Sequence, residues 1–174
     1  PDALRIKALI ILRSGLMLEA QKILDRAHKI DPRNPMMPLD QAVIHKLGGR
    51  YPEMIDSCRD ALKRMPGSRR AEAMLAQAYE GGGMTDQAVR FIEETIAKRG
   101  LDAEMGETYA NVLELSGRRE DALVVVDRLL ESSATQPPVR RRLLLHRGRI
   151  LEKLGRFAES MESFEAGHAV FSVV

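Results

Sequence analysis

Apolar residues recur along the whole chain at the spacing of an α-helix, and glycine or proline cuts each helical stretch from the next. Ile23, Leu24, Ala27 and Ile30, for example, share one face of a helix. The pattern predicts a first helix over residues 3–14, ended by Gly15, and a second over 17–30. Asp31-Pro32 stops the second, because proline cannot continue a helix and disfavours helix in the residue before it. Asn34-Pro35 then offers a cap and a first-turn proline to a third helix, which starts between Pro35 and Leu39 and runs to about Leu47. Further helices are expected over residues 51–64, 69–80, 85–99, 103–115, 119–132, 140–154 and 157–171. Nothing reads as a strand; the valines 124–126 lie inside a helical pattern between Ala122 and Leu129.

The turn glycines Gly15, Gly49, Gly83, Gly117 and Gly155 follow one another at steps of 34, 34, 34 and 38 residues. A fixed period of this length marks a stacked array in which each unit is a helix pair that buries its apolar face on its neighbours. The chain is therefore expected to be one solenoid over 1–174. Its repeats run at about 1–34, 35–68, 69–102, 103–136 and 141–174. The four extra residues fall in a longer connection at 131–140, which holds two prolines among small polar residues.

Composition narrows the function. Tryptophan is absent and aromatics make up 4% of the chain, so Leu, Ile, Val, Ala and the nine Met must build the core. A net charge of +2 gives no global electrostatic case for nucleic acid. Arg outnumbers Lys among the 27 basic residues, a bias that suggests a GC-rich bacterial genome. The single Cys58 excludes an intrachain disulfide and a cysteine-rich metal site. No apolar run approaches the length of a membrane span, and a cytoplasmic location is expected. The chain begins at Pro1 with no initiator Met and no visible signal peptide, so it reads as a fragment whose native targeting is open.

With the repeat register set, the chain resembles the tetratricopeptide repeat (TPR) family over essentially all of its length. Counting within each repeat, the eighth position is Ala8, Ala42, Ala76, Ala110 and Gly148, where the family requires a small residue at a close helix crossing. The twentieth is Ala20, Met54, Ala88, Ala122 and Ser160, the twenty-seventh Ala27, Ala61, Thr95, Leu129 and Gly167, and the thirty-second Pro32, Pro66, Gly100 and Ala134. The first two repeats match best. The resemblance implies an all-α, right-handed superhelical solenoid of antiparallel helix pairs, with first helices lining a concave groove and second helices forming the convex back.

Candidate chemistry is thin. Cys58 and His45 fall at facing positions of the second repeat, and a Cys–His pair could suggest a nucleophile. The alternative is a small buried residue beside an imidazole in an under-packed core, and that reading is adopted, since a reactive thiolate must be exposed and tuned. His28, His146 and His168 form no short ligand motif, so no metal and no cofactor are expected. Gly81-Gly82-Gly83 lacks the Lys-Ser/Thr of a phosphate loop. Arg140, Arg141 and Arg142, with Arg147 and Arg149, form the densest basic stretch, but no aromatics stand nearby to stack bases, and it reads as a solvated helix start.

In the family's register the second, fifth and ninth positions of each repeat line the groove. The binding residues expected on that basis are Arg5, Leu39, Val43, Arg70, Gln77, Glu104, Glu107, Asn111, Arg142 and Arg149. This face is apolar in the first two repeats, acidic in the fourth and basic in the fifth. Leu9 stands where the family's carboxylate clamp needs Asn after Arg5, which argues against chaperone-tail binding. The function expected is a non-catalytic scaffold that binds a peptide or helix of a partner protein in the groove. The alternative is the regulatory or substrate-docking region of a larger bacterial enzyme, because residues 146–171 are similar to the last repeat before a sulfotransferase domain. Both ends carry apolar residues without a polar cap: Ile6, Leu9, Ile10 and Ile11 at one, Phe164, Val170, Phe171, Val173 and Val174 at the other. An uncovered array end favours association, so self-association through the terminal helices is expected.

Overall fold

The computed structural model describes residues 1–132 and 136–170. Phe171, Val173 and Val174, and Ala134 of the longer connection, lie outside them. Among the described residues the chain forms ten α-helices and no strand. They are α1 (Asp2–Arg13), α2 (Met17–Ile30), α3 (Met37–Leu47), α4 (Tyr51–Arg64), α5 (Arg69–Gly81), α6 (Thr85–Arg99), α7 (Ala103–Leu115), α8 (Arg119–Glu131), α9 (Pro137–Lys153) and α10 (Phe157–Ala169). Two compact units result: Pro1–Gly83, with α1–α5, and Met84–Val174, with α6–α10.

The five turn glycines all have positive φ, between 66° and 81°. This left-handed conformation lets the chain leave one helix and enter the next with almost no linker, and only glycine adopts it without a Cβ penalty. One boundary differs from the sequence expectation by more than two residues. α9 begins at Pro137, because Pro137 and Pro138 occupy the first turn, where a missing N–H costs nothing. The paired prolines therefore start the last repeat's first helix. α3 begins at Met37 with Pro38 in its first turn. Asn34 caps no helix; its buried side chain accepts from the Met36 N–H at 3.0 Å in a local turn.

In the first unit Leu12, Ile23 and Leu24 pack with Met37 and Ile44, joining α1, α2 and α3. In the second, Leu113, Leu123, Val126 and Leu129 pack with Leu143, Ile150 and Leu151, joining α7, α8 and α9. Ala residues keep the eighth position through the first four repeats. In the fifth, Gly148 admits the ring of Phe164 so closely that a Cβ there would sit 2.6 Å from it. The carbonyl of Gly148 also accepts from the buried Ser160 hydroxyl at 2.9 Å.

Each first helix touches the next one within its unit, α1 with α3, α3 with α5 and α7 with α9, whereas α2 and α4, or α8 and α10, do not meet. The first helices thus form the inner side of each unit.

Candidate binding surface

On the inner side, polar side chains bridge one first helix to the next at separations close to one repeat. Arg5 on α1 donates from Nε to Asp40 on α3 and from Nη1 to Asp2 at 2.9 Å. Lys46 on α3 donates to Gln77 on α5. Glu107 on α7 accepts from Arg142 on α9 at 2.9 and 3.3 Å. Glu114 on α7 holds two partners of α9, His146 Nε2 at 2.6 Å and Lys153 Nζ at 2.8 Å. Neighbouring first helices present the same side to the inner face, so groups about 34 residues apart come into register.

Burial sets the electrostatics. The Asp40 side chain is 1% exposed. Its removal from water pushes its pKa up, and the Arg5 guanidinium only partly offsets this. Its Oδ1 has no hydrogen-bond partner. At Glu114 burial also raises the pKa, but the hydrogen bonds from Lys153 and His146 prevail and hold it below the ordinary carboxylate range.

The residues expected to line the groove fall into two sets. Leu39 is corrected: at 1% exposure it belongs to the core. The first turn of α3 is enclosed, with Met37, Pro38, Leu39 and Asp40 buried in succession. Arg64 helps to close it by donating to the carbonyls of Pro32 and Asn34. Val43 is half-buried against the core of the first unit. The apolar face expected across the first two repeats is thereby largely consumed by the fold. Arg5 is committed to its two aspartates, with 12% of its side chain exposed. Gln77 and Glu107 are half-buried in the bridges, while Arg70, Glu104, Asn111, Arg142 and Arg149 reach solvent. Glu107, Asn111, Arg142, Leu143, His146 and Arg149 together line an open pocket of about 280 Å³ on the inner side of the second unit.

The basic stretch is neutralised in part from within. Arg142 pairs with Glu107, Arg147 pairs with Asp127 at 2.6 Å and donates to Ser163, and Arg140 donates to the Leu130 carbonyl. Cys58 is fully buried, and that burial pushes its thiol up to about 12. A thiol with that pKa and no access to solvent is a packing residue. His45 is lowered by burial and by the nearby Arg50, and its Nδ1 has no hydrogen-bond partner. No group of three or more His, Cys, Asp or Glu among the described residues is arranged to hold a metal. Among them, no helix is long and apolar enough to cross a membrane.

Sequence reading missed the Glu114–His146–Lys153 bridge. Its signal was a carboxylate at the twelfth position of one repeat and an imidazole and an ammonium at the sixth and thirteenth of the next, which becomes visible only when consecutive repeats are aligned side by side.

Residues 142–167 match the family model of the tetratricopeptide repeat. No curated protein matches the chain in sequence. Among solved structures, a thermophilic TPR protein of Thermus thermophilus is similar with a TM-score of 0.79 at 16% identity, over 99% of this chain and 92% of that one. Pseudomonas aeruginosa pilF gives 0.77 at 18% identity, over 95% and 75%. MamA from Desulfovibrio magneticus gives 0.74 at 14% identity, over 97% and 93%. At these identities the likeness is one of fold. With the family match on the last repeat and the same helix-pair architecture before it, the described residues form an all-α helical repeat whose fold is that of the tetratricopeptide repeat structures it resembles.

Proposed function

We propose that the chain is a non-catalytic scaffold that binds a peptide or helix of a partner protein on the inner face of its first helices. The observation that supports this most is the pocket between α7 and α9. Asn111 and Arg149 line it, are exposed, and make no side-chain bond among the described residues. A fold that pairs most of its inner-face charges but leaves an amide and a guanidinium open offers two donors to a partner's carboxylate or amide side chain. Glu104 extends the accessible polar surface of α7 in the same unit, and Arg70 is accessible on α5 of the first unit.

Asn111→Ala and Arg149→Ala are expected to weaken binding of a partner identified by pull-down, each by several-fold in a calorimetric titration. Neither side chain supports the fold, so the stability of each variant should stay within about 0.5 kcal/mol of the parent. A partner that binds both variants as tightly as the parent would remove the site from this face.

A further inference from the structure

The repeat register exposes a second surface. Every first helix after α1 packs on the second helix before it and buries its third, sixth and tenth positions. At the tenth position Ile44, Ala78, Val112 and Ile150 are at most 1% exposed. At the third, Met37, Ala71, Met105 and Leu143 are at most 4% exposed. In α1 the same positions are Ala3, Ile6 and Ile10; Ala3 is exposed, and Ile6 and Ile10 are 57% and 61% exposed.

The far end carries the matching half. In α4 and α8 the twenty-first position, Ile55 or Leu123, is closed off to 4% and 6%, and α5 and α9 pack on those two helices. At the seventeenth, the Tyr51 ring lies against Gly81 at the end of α5. On α10 these positions are Met161, 58% exposed, and Phe157, 66% exposed. The face of α1 and the face of α10 are therefore the two separated sides of an interface that the fold already forms at α2–α3, α4–α5, α6–α7 and α8–α9. Charge favours the same match. Beyond the pairs of Arg5 with Asp2 and Asp40 and of Glu159 with Arg156, α1 exposes Lys7 and Arg13 and α10 exposes Glu162 and Glu165.

We propose that α10 of one copy seats on α1 of a second copy, so that the chain self-associates head to tail through the contact its own repeats use. Such a contact is heterologous: it joins two different surfaces and leaves one of each unfilled at the ends of every open assembly.

The test uses two exposed positions. Ile10→Asp disables the α1 face and Met161→Asp the α10 face, and circular dichroism checks that both variants keep the parent's helicity. In sedimentation equilibrium the parent is expected to rise above monomer mass with concentration, passing beyond a dimer, while each variant alone stays monomeric. An equimolar mixture of the two variants retains one intact α1 face and one intact α10 face, so it is expected to form a dimer and stop there. A parent that stays monomeric at every concentration overturns the proposal. So does association that survives either substitution. A mixture that fails to form the dimer also overturns it, since an intact α1 face and an intact α10 face then do not bind each other.

Discussion

Arg5→Leu is expected to cost about 3–5 kcal/mol of stability, the usual consequence of stripping one partner from a buried ion pair. Asp40 is nearly inaccessible, one of its oxygens already lacks a hydrogen bond, and Arg5 is the residue seen to satisfy the other. Removing the guanidinium leaves a carboxylate that must either stay ionised without a partner or take up a proton. Burial has already raised the pKa of Asp40, so its protonated form is the one the fold favours. Stability linked to such a group is present at pH below its unfolded value, near 3.8, and is lost as pH rises through the folded value. The gap between variant and parent should therefore be widest near neutral pH and shrink as the solution is acidified. Adding Asp40→Leu should restore most of the loss, because replacing both partners by apolar groups is often neutral or better. Urea titrations of parent, single and double variants at two pH values measure each part. A single variant as stable as the parent at neutral pH would show that the pair contributes nothing.

Gly148→Leu is expected to destabilise the second unit by about 3 kcal/mol, at the upper end of what overpacking a core costs. A Cβ at this position would lie 2.6, 2.8 and 2.9 Å from three atoms of the Phe164 ring, closer than carbon atoms pack. A rigid ring cannot bend aside as a long aliphatic chain does, and α10 must move away from α9 to admit the new side chain. The same displacement would break the buried hydrogen bond from Ser160 to the Gly148 carbonyl. Shrinking the ring by Phe164→Ala should return part of the loss by giving the leucine room, so that the two substitutions together cost less than their sum. A thermal melt that leaves Gly148→Leu unchanged would contradict the close approach.

The helices and their turns were legible because the information is local. A glycine at a fixed period and a proline after a pair mark each boundary within a few residues, and eight of the ten helices start or end where the apolar spacing put them. The exceptions are also local in origin: Pro137 and Pro138 read as a break, yet proline suits the first turn of a helix as well as the residue after one. The candidate surface was legible only in part. Position counting selects one side of a first helix, but whether a residue there is free depends on partners one repeat away. Leu39 and Arg5 sit at the same position of their repeats as Ala73 and Glu107. The first is buried with the rest of the first turn of α3, and the second is taken by Asp40. Neither partner can be inferred from the residue itself.

The bridges between first helices also differ in how much water reaches them, which makes ionic strength a selective lever on the protein. Arg5 and Asp40 are nearly sealed, and dissolved ions screen such a pair weakly. Arg142 and Lys153 keep more than half of their side chains in solvent, so their bonds to Glu107 and Glu114 lie within reach of counterions. Raising the salt concentration should loosen the link from α7 to α9 while leaving the link from α1 to α3 nearly as it is. Salt is thus expected to act on the α7–α9 link through Arg142 and Lys153 more than on the Arg5–Asp40 link between α1 and α3.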